Sequence, residues 1–188
     1  MTPTRSDAWT LLNEHTKNPN LIKHALAVEA AMAGYAKKLG GDVDLWRVTG
    51  LIHDFDYEEH PTAEEHPAFG CTLLESLGWP NEIIDAIKGH APYLGVPRVT
   101  PMAKALFAVD ELTGLIVACV LVRPDKSIHS LKVSSVMKKW KDKSFARGVE
   151  RDDIELGAQE LGVPLREHVS FVIDSMKAAA AELGLDGS

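Results

Sequence analysis

Residues 51–56 read Leu51-Ile52-His53-Asp54-Phe55-Asp56, and the adjacent polar pair His53-Asp54 interrupts a helical, mostly apolar stretch. Core positions rarely carry two such side chains in succession, because a buried carboxylate is costly unless a partner or a metal ion compensates it. We therefore interpret His53 and Asp54 as half of a metal site and expect the other half elsewhere in the chain.

Composition limits the class of protein. The chain has 188 residues, which is enough for one domain with a sizeable core. Its net charge of −7 argues against a general nucleic-acid binder. The most apolar stretch, residues 112–122, is well short of the ~20 residues that span a bilayer. With a polar N-terminus and only two cysteines, the sequence predicts a cytoplasmic protein that does not enter membranes.

Apolar residues recur with helical periodicity, and no strand-like alternation persists. The pattern predicts an all-α bundle of about eight helices in a single domain, residues 1–188. The metal-site core would occupy about residues 21–122, and a basic helical segment, residues 130–183, would pack on it. The longer predicted helices span residues 21–39, 81–90, 102–122, 133–140, 145–161 and 165–183.

Two more metal-capable side chains lie on apolar helix faces. His24 follows Leu21 by three residues, and Asp110 follows Leu106 by four, so both are expected to point inward. Two imidazoles and two carboxylates make a mixed nitrogen and oxygen site for a divalent ion. Four protein ligands leave positions open on a six-coordinate ion, as catalysis requires.

The order His24, His53-Asp54, Asp110 resembles the HD superfamily of metal-dependent phosphohydrolases, whose fold is all-helical. The segment His66-Pro67-Ala68-Phe69-Gly70 resembles the His-Pro-x-x-Gly element of its two-metal members, and His90 falls where those members place another ligand. The resemblance implies that Asp54 bridges two ions. One ion would be held by His24, His53 and Asp110, and the other by His66 and His90.

Further residues are candidates for catalysis and for phosphate binding. Asp56 and Glu111 could orient a water molecule or support a ligating histidine, although solvated helix-end carboxylates are the commoner outcome. Residues 132–151 hold seven basic side chains against two acidic ones. This segment either binds a substrate phosphate, with Lys141, Lys143 and Arg147 as the candidates, or forms a solvated helix face.

The sequence thus predicts a metal-dependent phosphohydrolase that cleaves a phosphomonoester or phosphodiester of a small, nucleotide-like molecule. Its cofactor would be one or two divalent ions, with Mn, Fe, Ni, Co, Zn and Mg all open. A di-iron oxygenase of the same superfamily would use the same six ligands, and a non-catalytic nucleotide-binding sensor is the third interpretation. A homodimer is possible on this sequence, and the small phosphorylated substrate is the expected partner.

Overall fold

The computed structural model describes residues 2–187, and the regular elements within that range are all helices. The all-α prediction is therefore confirmed. The α-helices are α1 (Arg5–His15), α2 (Pro19–Leu39), α3 (Val43–Ile52), α4 (Ala68–Ser76), α5 (Asn81–His90), α6 (Pro101–Leu121), α7 (Val133–Trp140), α8 (Arg151–Glu160), α9 (Leu165–Met176) and α10 (Ala180–Leu183). Short 3₁₀ turns occupy Pro92–Leu94, Ile128–Ser130 and Lys177–Ala179.

Capping side chains set the ends of the helices that carry the site. Asn18 begins α2 by accepting from the Asn20 N–H, and Gly40, in the left-handed conformation, ends it. Asp42 caps α3, and Thr100 caps α6. Helix α2 begins two residues before the predicted start at residue 21. The reason is that Pro19 suits the first helical position, which places the cap at Asn18.

The long helix α6 lies at the centre of the molecule, and most of its residues between Met102 and Val120 are buried. Helices α2, α5 and α8 pack against it. Gly157 lets α8 approach closely, since a Cβ there would lie 2.5 Å from the Ala108 Cα. One connected hydrophobic core runs from α1 to Leu185, so the segment after residue 130 shares the core of the residues before it.

The predicted helix over residues 145–161 is wrong in its first part, because α8 begins only at Arg151. Residues 141–149 form turns instead. The Asp142 carboxylate accepts from the backbone N–H and the hydroxyl of Ser144, which competes with helical hydrogen bonding. The Arg151 guanidinium donates to the carbonyls of Trp140 and Phe145, among others, and so holds the turns together.

Within residues 2–187, no helix combines the length and the apolar character needed to cross a membrane.

Candidate metal centre

The structure brings the six predicted metal ligands together from five separate parts of the chain. His53 and Asp54 lie directly after α3 rather than inside it, because that helix ends at Ile52. The other four lie on α2 (His24), immediately before α4 (His66), at the last position of α5 (His90) and in the middle of α6 (Asp110).

Four of these residues form a first group of ligand atoms. The Nε2 atoms of His24 and His53 lie 3.2 Å apart, and they are 3.0 and 3.3 Å from the Asp110 Oδ1. The Asp54 Oδ2 lies 3.4 Å from the His53 Nε2 and 3.8 Å from that of His24. Two imidazole nitrogens and two carboxylate oxygens thus converge on one point.

The second group is built on the other oxygen of the same carboxylate. The Asp54 Oδ1 lies 3.2 Å from the Nε2 of His66 and 3.2 Å from the Nε2 of His90. Asp54 therefore belongs to both groups, with one oxygen facing each. This is the bridging position that the family resemblance implies.

Two observations indicate that these groups fit metal ions. Ligand atoms bound at ~2.1 Å to one octahedral ion lie about 3 Å from their neighbours, close to the spacing seen here. In addition, the buried Asp54 Oδ1 makes no hydrogen bond within residues 2–187. A buried carboxylate oxygen without a partner is costly, and a cation between Asp54, His66 and His90 would satisfy it.

Hydrogen bonds on the far side of the imidazoles orient them toward the ions. The Nδ1 of His53 lies 2.9 Å from the Gly50 carbonyl, and the Nδ1 of His90 bonds the Ile87 carbonyl. In each case an N–H at Nδ1 donates to the carbonyl, which leaves Nε2 as the free lone pair for a metal.

Asp56 supports His66 in the same way. Its Oδ1 accepts from the His66 Nδ1 at 2.8 Å, and its Oδ2 accepts from the Gly70 N–H at 2.8 Å. The Asp56 side chain is fully buried, so it is not a solvated helix-end carboxylate. It lies behind the ligand and does not line the cavity, which makes it a positioning residue. A Cβ at Gly70 would lie 2.8 Å from the Asp56 carboxylate, so only glycine fits there.

The pKa values of the clustered side chains are shifted in the direction that favours protonated histidines and ionised aspartates. Although burial opposes it, the neighbouring Asp54 and Asp56 carboxylates raise the pKa of His66 to about 9. Burial likewise opposes charge on His53, yet the Asp54 and Asp110 carboxylates raise its pKa well above the ordinary value. Burial favours the neutral acid at Asp110, but His53 still holds the pKa of that carboxyl below its usual range. The cluster therefore attracts cations, whether protons or metal ions.

A cavity of about 530 Å³ opens directly over the ligands, a size typical of small-molecule sites. Tyr57 and Tyr93 form one wall beside His66. The Tyr57 ring meets the His66 imidazole edge-on at 5.2 Å, and the Tyr93 hydroxyl donates to the His66 carbonyl at 2.8 Å. Phe107 and Pro92 contribute further apolar surface to the lining.

Glu111, Glu150 and Asp153 also line the cavity and form an acidic wall. The Glu150 N–H donates to the Glu111 carboxylate at 3.2 Å, which fixes Glu111 at the cavity edge. Burial and the neighbouring Asp110 raise the pKa of Glu111 to about 7. The sequence points to Glu111 because it follows Asp110, but Glu150 and Asp153 carry no local signal and reach the site only through the packing of α8 on α6.

The basic residues predicted to bind phosphate are not brought to this cavity. Lys141, Lys143 and Arg147 are exposed, and none of them lines it. The helical face that would have presented Lys143 and Arg147 together is absent, because residues 141–149 form turns. Arg98, a weaker candidate, has its guanidinium engaged by the Glu160 carboxylate at 2.6 and 2.8 Å.

An all-helical fold with a histidine and aspartate metal cluster in this order defines a class of metal-binding proteins. The HD domain family matches residues 21–114, half of the chain, and that range contains all six ligands. The chain therefore belongs to the HD domain family.

Curated relatives match up to half of the chain. It is 29% identical over 96 residues to Ribonuclease Y of Nitratidesulfovibrio vulgaris, and 35% identical over 72 residues to Ribonuclease Y of Thermus thermophilus. The first alignment covers 50% of this chain and 18% of the relative, and the second covers 38% and 12%. The chain thus matches less than a fifth of the length of these relatives. No solved structure matches it significantly.

Proposed function

We propose that this protein is a metal-dependent phosphohydrolase that cleaves a phosphomonoester or phosphodiester bond of a small, nucleotide-like substrate. The observation that carries the proposal is the Asp54 carboxylate, which directs one oxygen to each of two ligand groups whose atoms lie 3.2–3.8 Å from it. Membership of the HD domain family and a cavity directly above these groups support it.

The chemistry divides between the ions and the chain. Divalent ions, when bound, lower the pKa of water and stabilise negative charge on phosphoryl oxygens. His24, His53 and Asp110 would hold one ion, His66 and His90 the other, and Asp54 both. Asp56 keeps the His66 Nε2 directed at its group. Glu111, fixed by the Glu150 N–H at the cavity edge, is the group placed to orient water or a substrate hydroxyl.

The charge of the cavity lining favours a small substrate over a nucleic-acid strand. The relatives carry the name Ribonuclease Y, but the alignment with this chain covers only 18% of the length of the first of them. A polyanionic strand would need basic surface around the cavity, whereas the wall formed by Glu111, Glu150 and Asp153 is acidic. We therefore propose that the substrate is a small molecule with one phosphoester and not a nucleic-acid strand.

The first test combines elemental analysis with a screen of phosphoesters. The purified protein is expected to carry two divalent ions per chain and to hydrolyse small phosphate esters. The Asp54→Asn variant keeps the side-chain shape but weakens both ion positions, so activity should fall by at least about 100-fold. Glu155→Gln, on the exposed face of α8, is the control and should leave both values unchanged. Full metal content and activity in Asp54→Asn would refute the proposal.

A di-iron oxygenase is the second candidate, because the same two ligand groups suit iron. Native iron with oxygen consumption, and no hydrolysis of any ester, would establish it in place of the hydrolase. Tight nucleotide binding without turnover of either kind would instead indicate a sensor.

A further inference from the structure

The cavity over the metal cluster is lined by acidic side chains, whereas a phosphate-binding site usually contains lysine or arginine. Among residues 2–187 no lysine or arginine lines the cavity, whereas Glu111, Glu150 and Asp153 form one wall of it. The nearest strong cation of the α5–α6 connection, Arg98, is committed to Glu160 and to the Gly89 carbonyl. Apart from the candidate metal ligands His24, His66 and His90, no basic side chain of the described chain lines the cavity to pair with a second anionic group of a ligand.

Packing fixes this acidic wall in place. The Glu111 carboxylate accepts the Glu150 N–H, so the start of α8 is tied to α6 beside the ligand Asp110. Asp153 follows one turn later on α8 and is half-buried. Asp153 and Glu150 line the same cavity as the ligand Asp110. The acidic wall therefore lies beside any ligand held at the cluster.

Two tyrosines in the cavity lining add an independent feature. Tyr57 and Tyr93 present aromatic surface that is 40% and 54% exposed, respectively, beside the ligands His66 and His90. Aromatic faces attract cations and stack on flat neutral groups. The aromatic surface therefore favours the same kind of ligand as the acidic wall.

Building on the proposed function, we propose that the wall of Glu111, Glu150 and Asp153 selects the substrate by charge. The preferred substrate carries one phosphoryl group, held at the ligand cluster, and a remainder that is cationic or neutral and rich in hydrogen-bond donors. Esters with a second phosphate or a carboxylate on the leaving group are rejected. Glu150 and Asp153 are specificity-determining residues in this proposal, and neither is a metal ligand.

The test uses three phosphonates of similar length that cannot be hydrolysed: ethylphosphonate, 2-aminoethylphosphonate and 2-carboxyethylphosphonate. Their dissociation constants for the metal-loaded full chain are measured by calorimetry. We expect the amino compound to bind most tightly and the carboxy compound to bind about tenfold or more weaker, a difference of about 1.4 kcal/mol, because the acidic wall attracts the ammonium and repels the carboxylate. Equal affinity for the amino and carboxy compounds would overturn the proposal.

The double variant Glu150→Gln with Asp153→Asn should abolish most of this preference, and ethylphosphonate, which is itself an anion, should bind at least as tightly as before. The Glu150 substitution keeps the backbone N–H that donates to Glu111, so the loop is preserved. The control, Glu155→Gln, removes a charge from the same helix without touching the cavity. An unchanged preference in the double variant would mean that the wall does not select.

The same experiment separates this inference from the proposed function. Failure of ethylphosphonate to bind the metal-loaded protein would refute the phosphate site itself, and the charge selection with it. Binding of ethylphosphonate without any charge preference would refute the selection alone. A matched set of hydrolysable esters, ethanolamine phosphate against a carboxylated alkyl phosphate, should reproduce the order in KM.

Discussion

At the scale of single residues, Asp54 is the side chain that joins the two groups of candidate ligands. Its side chain is 21% exposed, toward the cavity, while the partner ligand His53 is completely buried. One carboxylate thus serves two histidine-rich groups, and each of its oxygens meets imidazole nitrogens at 3.2–3.8 Å. Carboxylates hold two ions in this way because each oxygen is an independent ligand atom.

Asp56 is expected to act through His66 rather than on the substrate. In Asp56→Asn the amide keeps the volume but removes the charge that orients the imidazole, so affinity for one of the two ions should fall by about 10- to 100-fold. Metal titration of the purified variant measures this, and affinity for the other ion, held by His24, His53 and Asp110, should be unchanged. A general loss of stability would instead lower the affinity for both ions equally, and that result would contradict the specific role of Asp56.

Gly70 gives a second perturbation of the same hydrogen bond. An added Cβ would lie 2.8 Å from the Asp56 carboxylate, so Gly70→Ala should displace Asp56 and reproduce the selective loss of that ion. The matched control is Gly148→Ala, because a Cβ at Gly148 meets nothing within 4 Å. If Gly70→Ala bound both ions normally, the Asp56 contact would not be what positions His66.

At the scale of elements, the turn segment 141–149 depends on one side chain. The Arg151 guanidinium donates to the carbonyls of Trp140, Asp142, Phe145 and Val149 at 2.6–3.3 Å. These carbonyls belong to successive turns that are not connected by helical backbone hydrogen bonds. Arg151 therefore replaces the backbone hydrogen bonds that a helix would have supplied.

Arg151→Met should loosen this segment, since methionine fills similar space but donates nothing. We expect the free energy of unfolding to drop by about 1–3 kcal/mol, discounted for the partial exposure of the segment. Amide hydrogen exchange over residues 141–149 should quicken, while exchange around α3 stays slow. The comparison is Arg147→Met, an exposed side chain of the same segment. Equal exchange in both variants would contradict the role of Arg151.

The same elements show what local sequence can predict. The boundaries of α5 and α7 were predicted correctly, because Pro80 and the Gly-free run 133–140 determine them locally. The helix over 145–150 was not, since Arg151 reaches back up to eleven residues to form the turns. The clustering of the six candidate ligands could be predicted because buried polar residues are costly and therefore informative. Glu150 and Asp153 could not be, because acidic residues outside the core carry no such signal.

At the scale of the whole molecule, His168 connects three helices. Its Nε2–H donates to the Ala108 carbonyl of α6 at 2.7 Å, and its Nδ1 accepts from the Tyr35 hydroxyl of α2 at 2.6 Å. The His168 side chain is fully buried. Because α2 carries His24 and α6 carries Asp110, the imidazole ties together the two helices that supply one ligand group.

His168 should make the stability of the protein depend on pH on the acid side. Burial lowers its pKa to about 4, so the folded state resists a proton that the unfolded chain accepts near pH 6.5. Stability should therefore fall as pH decreases from about 6.5 to 4, by up to about 3 kcal/mol. Denaturant unfolding of chelator-treated protein at several pH values measures this.

The histidines of the metal cluster act with the opposite sign, which separates them from His168. The pKa of His66 is raised to about 9, so its contribution is complete below pH 6.5 and is lost only as pH rises toward 9. The slope between pH 4 and 6.5 should consequently shrink in His168→Gln, which is less stable at pH 7 but cannot titrate. Tyr35→Phe removes one hydrogen bond yet keeps the buried imidazole, so its acid slope should persist. If the free energy of unfolding of His168→Gln fell equally steeply between pH 6.5 and 4, groups other than His168 would be responsible for the acid dependence.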